Sequence, residues 1–358
     1  MDRYALRRQD YSLSEDQSEL QAVYAKFFRT RCPIETVRAA EDSGFDRNLW
    51  EQLCATGATS MALPESAGGD GAGLVELVLV AEELGRVLAP VPWIEHIVAA
   101  RLLGRLDALS PRTADDIVAG RRIVALDPDP VQRPGPRLVP AGAVADDVLV
   151  LDGDDVVLLS SGVPPEHVAN IGRLPMAWVD PRTAGEAAVV ASGAAAVAEF
   201  RRALDEWRVL TASALVGLLD ETLLIAAEFA KSRYTLGVPI GTLQAISHPL
   251  ANIAIAVNGG RNLARRAAWF LENEPDTQAE LPAAAFVFIT GEAPAAATMA
   301  VQVQGGLGVS AESAASAYLV RARGWSLAAG DPAVAAREIA VLAAARPASA
   351  PAPVAIPV

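Results

Sequence analysis

Cysteine and histidine are scarce in this sequence, whose 358 residues include two cysteines and three histidines. Cys32 and Cys54 form no C-x-x-C pair and lie far from the histidines, so we expect neither a disulfide framework nor a metal site. The Walker loop, the G-x-S-x-G motif and a strand-borne G-x-G-x-x-G are also missing, which argues against several common enzyme classes. Two isolated thiols are typical of a reducing compartment, and we expect a cytoplasmic protein.

The sequence also has no excess of positive charge and no long uninterrupted hydrophobic run. Thirty Lys and Arg residues stand against 43 Asp and Glu, for a net charge of −13. Nucleic-acid binding relies on a basic face, so we expect no nucleic-acid partner. No apolar run follows Met1–Tyr4, which predicts no secretory signal. The most apolar long stretch, over residues 282–303, contains Glu292 and two prolines, and we expect no membrane span.

What is present is a hydrophobic fraction of 52%, enough for the buried cores of two or three domains. A capping box at Ser14–Gln17 opens a helical pattern, and an Asp-Gly turn between two apolar runs at 148–159 predicts a β-hairpin. Helical periodicity returns from Phe200. The predicted order is a helical domain over residues 1–119, a small β domain over 120–198, a helical domain over 199–345 and a flexible tail over 346–358.

Three motifs occur in this order along the chain. They are Leu63-Pro64-Glu65 through Gly73-Leu74 with Glu82-Glu83-Leu84-Gly85-Arg86; Ala230-Lys231-Ser232-Arg233 through Gly241-Thr242-Leu243-Gln244-Ala245; and Gln302-Val303-Gln304-Gly305-Gly306-Leu307-Gly308. Together they resemble the acyl-CoA dehydrogenase family over residues 12–345. The resemblance implies an α+β fold with an N-terminal helical domain, a small, shortened middle β domain and a C-terminal four-helix bundle.

The resemblance also implies an FAD cofactor and an acyl-CoA thioester substrate. In this family a carboxylate removes the α-proton while the flavin takes the β-hydride, which yields a 2-enoyl-CoA. Arg233 is expected to contact the diphosphate of an FAD bound mainly by a neighbouring subunit. Gln302, Gly305 and Gly306 are expected to let backbone amides approach the same FAD. The alternatives are a solvated arginine at a helix end and a loop that merely ends a helix.

Asp205 and Arg208 resemble the family segment that contacts the CoA part of the substrate. Their i, i+3 spacing places both side chains on one side of a helix. The same spacing is equally compatible with an ion pair within the helix, and the sequence leaves both interpretations open.

The catalytic base is the main departure from the family pattern. The two positions at which the family places this carboxylate correspond to Trp207 and Ala329, and neither side chain can take a proton. Glu206 is a weak candidate, because one residue along a helix turns a side chain by about 100°. The family's Gln-Phe pair is replaced by Thr235-Leu236. The middle domain has only Trp178 in place of the aromatic contact to the flavin.

Three hypotheses remain open from the sequence. The chain is a subunit of a heteromeric acyl-CoA dehydrogenase that lacks its own catalytic glutamate and completes the flavin site of a sister subunit. Alternatively, it is a homomeric dehydrogenase with a relocated base, acting on an acyl-CoA or a carrier-bound acyl group. The third hypothesis is a non-catalytic CoA-binding scaffold. We expect a tetramer or a pair of heterodimers, because the family assembles through its C-terminal helices.

Overall fold

The computed structural model describes residues 9–64, 68–109, 111–129, 131, 135–163, 165–183, 185–310 and 312–345. Helices, then strands, then helices follow one another along the chain, which confirms the predicted α+β fold. The predicted tail over residues 346–358 lies outside the described residues.

The N-terminal part contains six helices. The predicted capping box is confirmed, since the Ser14 hydroxyl accepts from the Gln17 amide and the Gln17 side chain accepts from the Ser14 amide. These two hydrogen bonds satisfy amides that the first helical turn leaves without partners. The helices are α1 (Glu15–Arg31), α2 (Ile34–Ala39), α3 (Arg47–Cys54), α4 (Leu74–Arg86), α5 (Trp93–Arg105) and α6 (Pro111–Val118).

The middle part is a four-stranded sheet with a separate two-stranded ribbon. The strands are β1 (Val124–Leu126), β2 (Arg137–Val139), β3 (Asp147–Asp152), β4 (Asp155–Ser160), β5 (Ala177–Val179) and β6 (Glu186–Ser192). The sheet order is β1-β3-β4-β6, with β1 parallel to β3 and the other neighbours antiparallel, and β2 pairs with β5. The predicted hairpin is β3–β4, and Gly153 in its turn has a φ of 62°, which suits glycine.

The C-terminal part is built on the 39-residue helix α7 (Ala194–Ser232), which packs against the next two long helices. The predicted boundary at 198/199 falls inside α7, which begins directly after Gly193. Its first turn is mostly alanine, so no alternation of apolar and polar residues marked the true start. The remaining elements are β7 (Tyr234–Thr235), β8 (Val238–Pro239), α8 (Gln244–Asn273), α9 (Leu281–Gln304), α10 (Ala315–Trp325) and α11 (Ala333–Ala345).

Helices α4 and α7 cross at backbone contact distance. A Cβ on Gly85 would lie 1.9 Å from the Ala214 carbonyl oxygen, and one on Gly217 would lie 1.8 Å from that of Glu82. Only glycine fits at either position, because no real Cβ approaches an oxygen so closely. The crossing holds the N-terminal helices against the C-terminal bundle.

Buried ion pairs reinforce this crossing. The Arg86 guanidinium lies 3.0 Å from Glu83 on its own helix and 2.9 Å from Asp220 on α7. Arg261 of α8 bonds to Glu82 at 2.9 Å and to Asp220 at 2.7 Å. The Glu82-Glu83-Leu84-Gly85-Arg86 motif therefore joins three helices and has a structural role.

Two helices of the described chain are long and apolar enough, by length and composition, to cross a membrane. They are Ala194–Ser232 and Leu281–Val309, and 72% and 50% of their most apolar windows are buried inside the protein. Their apolar character is explained by their place in the core of the helical bundle, where α7 contacts α4, α8 and α9.

Candidate active site and cofactor-binding surface

The residues predicted to meet an FAD diphosphate come together at one end of the helical bundle. Ala226 and Ala230 of α7 form a small buried cluster with Ala300 and Val303 of α9. Arg233 follows that cluster at the end of α7, and Gly305 and Gly306 follow it at the end of α9. Gln302 lies on the last turn of α9 and is exposed. Packing of small residues thus brings two distant segments to a common surface.

Arg233 caps α7 with its backbone and leaves its guanidinium exposed. Its amide donates to the Phe229 carbonyl at 2.9 Å. Within the described part of the chain, its side chain has no ion-pair or hydrogen-bond partner, whereas nearby Lys231 pairs with Glu228 at 2.6 Å. An unpartnered guanidinium offers a bidentate donor fork that matches phosphate oxygens.

Two of the three glycines in the loop after α9 are open to the outside. A Cβ on Gly305 or Gly306 would meet no atom of the chain within 4 Å, whereas one on Gly308 would lie 2.5 Å from the Val301 carbonyl oxygen. Gly305 has a φ of 60° and ends the helix. The packing and backbone of the chain therefore explain glycine at 305 and 308 but not at 306. Close approach of a ligand or partner to the backbone would explain the glycine at position 306.

Apolar side chains surround this end of the bundle. Leu236 is 90% exposed, and Tyr234, Leu307 and Val309 are exposed as well. Leu236 stands at the position where the family has an aromatic packing residue, and the structure buries it against nothing in this chain. Exposed apolar side chains of this size are typical of a surface that binds another protein or a ligand where they lie together.

A cavity of about 50 Å³ lies beside the middle of α7. Trp207, one expected position of the base, lines it from α7, and Ala328, the neighbour of the other expected position Ala329, lines it from the segment after α10. Ala329 is partly exposed beside it. The further lining side chains are mainly apolar and include Leu84, Leu88, Pro90, Val91, Ile94, Ala214 and Trp325.

Trp207 is buried and held in place by two contacts. Its ring packs against Phe286, with 5.7 Å between the centroids, and its Nε1–H donates to Glu95 Oε1 across 3.3 Å. Glu95 also lines the cavity, and burial raises the pKa of its carboxyl group. Sequence reasoning missed Glu95, although a carboxylate inside the apolar run of α5 was the available signal.

Glu206 faces away from this cavity and is not among its lining residues. Its carboxylate bonds to Arg101 at 3.1 Å and to Arg105 at 2.9 Å, both on α5. Burial by itself would raise the pKa of Glu206, but the two guanidinium groups outweigh it and hold the pKa below its ordinary value. A carboxylate held in this way is a poor proton acceptor, so the geometry argues against Glu206 as a relocated base.

Asp205 and Arg208 form the ion pair that their spacing allowed, with 2.9 Å between Oδ1 and Nη1. Arg208 also bonds to Glu338 of α11 at 2.7 Å, and its side chain is buried. Burial raises the pKa of Asp205 to about 7. Arg208 therefore already has two carboxylate partners within this chain. Contact of Asp205 and Arg208 with CoA remains a prediction.

Trp178 lies on β5 and is 55% exposed at the edge of the two-stranded ribbon. It borders a surface depression shared with Asp180 and Thr183, not the cavity beside Trp207. The described residues include no group of three or more His, Cys, Asp or Glu that could hold a metal ion.

Two family models match the N-terminal and the C-terminal part of this chain. The family model described as "Acyl-CoA dehydrogenase, N-terminal domain" matches residues 14–105, and that described as "Acyl-CoA dehydrogenase, C-terminal domain" matches residues 197–342. Together the two matches cover well over half of the sequence and include Asp205, Trp207 and Arg233.

Individual proteins are similar over nearly the full length. Acyl-CoA dehydrogenase FadE27 of Mycobacterium tuberculosis is 31% identical over 347 residues, which is 88% of this chain and 93% of the relative. The ChsE4-ChsE5 complex from Mycobacterium tuberculosis contains a chain with a TM-score of 0.83 and 28% identity, covering 95% of this chain and 100% of that one. The Tcur3481-Tcur3483 steroid ACAD variant has a TM-score of 0.81 and 26% identity, covering 93% and 99%.

Proposed function

This chain belongs to the acyl-CoA dehydrogenase family, and we propose that it is one subunit of a heteromeric flavoenzyme that oxidises an acyl-CoA thioester. In this proposal the chain lacks its own catalytic glutamate. It supplies FAD contacts through Arg233, Gln302, Gly305 and Gly306 to a site whose base and flavin-ring pocket belong to a sister subunit. We place the complex in the cytoplasm.

The observation that carries this proposal is the separation of Trp207 from Arg233. Trp207 lies on α7 and Arg233, 26 positions later, directly follows its last residue, and a helix rises about 1.5 Å per residue, so roughly 39 Å separates them. A fully extended FAD is shorter than this distance. One molecule of FAD therefore cannot meet Arg233 with its diphosphate and reach the Trp207 cavity of the same chain with its ring. This separation supports a site to which two subunits contribute.

The surface at the end of α7 and the cavity beside its middle differ in how well they fit the cofactor. The free guanidinium of Arg233 and the open backbone at Gly306 suit a diphosphate. The Trp207 cavity, at about 50 Å³, is far smaller than the ~150 Å³ cavity that accepts benzene, and it does not fit a flavin ring. When bound, FAD supplies the acceptor for the β-hydride, and this chain's part is to orient the diphosphate.

The absence of a carboxylate at both expected positions supports the need for a partner. Trp207 and Ala329 take up no proton, and Glu206 is neutralised by Arg101 and Arg105. Two of the similar structures are complexes named for two different chains, ChsE4-ChsE5 and Tcur3481-Tcur3483. The second is named as a steroid ACAD, so a bulky, steroid-derived acyl-CoA is the substrate class to test first. Lipid or steroid catabolism is the corresponding biological role.

The test is the visible flavin absorbance of the purified chain, alone and co-expressed with a sister dehydrogenase subunit. We expect a colourless chain alone and a yellow complex. In the complex, Arg233→Ala should lower the flavin content, whereas Lys231→Ala, which removes a nearby exposed cation already paired with Glu228, should leave it unchanged.

Two results would contradict the proposal in different ways. A full complement of flavin on the chain alone would favour a homomeric enzyme with a relocated base. A chain that acquires no flavin with any sister subunit would favour the CoA-binding scaffold.

A further inference from the structure

The cavity beside Trp207 has the lining of a ligand site. Its walls come from the α4–α5 connection, from α7, from residues 173–175 and from the segment around Trp325. They are mainly apolar, with Arg173, Arg321 and Glu95 as the charged lining residues. Thr211, one helical turn after Trp207, is only 5% exposed and also lines the cavity. Its hydroxyl oxygen has no hydrogen-bond partner among the described residues. A buried, unpartnered hydroxyl in an apolar chamber is uncommon in a core and typical of a binding pocket.

Trp207 occupies interior space directly beside this cavity. The side chain is buried, so its indole ring displaces volume from the interior and not from solvent. An indole is larger than benzene, and the space that remains is about 50 Å³. Removing the indole would therefore leave an opening larger than the present cavity and continuous with it, since Trp207 lines the cavity directly.

Glu95 holds the indole in this position. The Trp207 Nε1–H donates to Glu95 Oε1, and the ring is backed by Phe286 of α9 on another side. The hydrogen bond joins the first turn of α5 to the middle of the bundle. A buried indole N–H without an acceptor is costly, so the carboxylate favours the inward orientation of the ring.

We infer that Trp207, positioned by Glu95, closes this chain's own acyl pocket, so that the chain by itself binds no acyl-CoA. The inference rests on the proposed function, because it explains how a two-chain enzyme would confine substrate to the sister subunit. Trp207 thus determines which pocket is open, and Glu95 is a positioning residue that acts through it.

The test measures binding of butyryl-CoA to this chain alone by calorimetry. Wild type should show no measurable binding, and neither should Trp207→Phe, which retains an aromatic ring at this position. Trp207→Ala should show measurable binding, at least about tenfold tighter than the weakest affinity that the calorimeter detects. Indole added to Trp207→Ala should raise its melting temperature, because it refills the opening, and it should not affect wild type. Trp207→Leu is the replacement if the alanine variant does not fold.

Variants at Glu95 separate positioning from a general structural role. Glu95→Leu removes the acceptor and should allow measurable butyryl-CoA binding. Glu95→Gln retains an oxygen that accepts from the indole and should restore the closed pocket. A merely structural Glu95 would affect melting temperature in both variants without affecting ligand binding.

Two outcomes would overturn the inference. One is a wild-type chain that binds butyryl-CoA as tightly as Trp207→Ala. The other is a folded Trp207→Ala that binds indole but no butyryl-CoA, which would show an opening unrelated to an acyl pocket. Neither outcome depends on the flavin content of the complex, so the proposed function can fail or hold separately.

Discussion

Trp207 lies on α7 and Arg233 directly follows the end of that helix, roughly 39 Å away, with a cavity of about 50 Å³ beside the first and an exposed guanidinium at the second. The helix keeps this distance fixed, since it contains no proline and packs against neighbours along its length. A cofactor that contacts Arg233 therefore has its reactive end outside this chain's own cavity. In the proposed function, the chemistry therefore takes place at a site built by two subunits.

Gly306 is expected to matter for the cofactor and not for the fold. Gly306→Ala should leave the melting temperature of the chain unchanged, because a Cβ there meets nothing within 4 Å. In the complex it should lower the flavin content, because the methyl group would obstruct approach to the backbone. Gly308→Ala is the contrasting variant, since its Cβ would lie 2.5 Å from the Val301 carbonyl, and it should lower stability. Equal flavin content in wild type and Gly306→Ala would refute the cofactor role.

Glu206 is expected to stabilise the fold and take no part in proton transfer. Glu206→Gln removes the buried carboxylate that Arg101 and Arg105 share. Each arginine keeps one other carboxylate, Glu272 or Glu199, so we expect a loss of about 1–3 kcal/mol in urea unfolding. Glu228→Gln, which breaks an exposed pair with Lys231, should change little. If the complex with Glu206→Gln folds and holds flavin, its turnover should match wild type. A selective loss of turnover would reinstate Glu206 as a base.

His96 should make the protein acid-sensitive. It is fully buried, its Nδ1 accepts from the Val124 amide, and burial lowers its pKa to about 4. The unfolded chain has an ordinary pKa near 6.5 and takes up the proton first. The contribution of neutral His96 to the free energy of unfolding is therefore complete above pH 6.5. About 3 kcal/mol of it is lost as the pH falls towards 4.

The measurement is the free energy of unfolding between pH 7 and pH 4, in wild type and in His96→Gln. The glutamine can still accept from the Val124 amide but does not titrate. The slope of stability against pH should be shallower in the variant. Identical slopes would show that other groups cause the acid sensitivity.

Gly217 should be irreplaceable at the crossing of α4 and α7. Gly217→Ala would place a Cβ 1.8 Å from the Glu82 carbonyl oxygen, which forces the helices apart. We expect a loss of at least about 2 kcal/mol in urea unfolding. Gly291→Ala, inside α9 with nothing near its Cβ, should instead gain up to about 1 kcal/mol because alanine favours a helix. If Gly217→Ala leaves the free energy of unfolding unchanged, the two helices can move apart at this crossing without cost.

The local features of this protein could be predicted from its sequence. The Ser14–Gln17 cap and the Asp-Gly hairpin turn depend on neighbours a few residues away, and the order of helical and strand segments follows from the spacing of apolar residues. The motif around Arg233 and the glycines after α9 identified the family. The sequence predicts a helix only from Phe200, whereas α7 begins at Ala194, because the alanines of its first turn show no spacing of apolar and polar residues.

Only the tertiary structure decided which side chains meet. Glu95 and Trp207 are 112 positions apart, and no local pattern relates them. The pairing of Glu206 with Arg101 and Arg105 of α5 and the exposure of Arg233 also depend on how separate helices pack. Sequence periodicity specifies the buried face of each helix. The partners on that face are set by the close crossing that Gly85 and Gly217 permit, together with the complementary volumes and charges of the whole core.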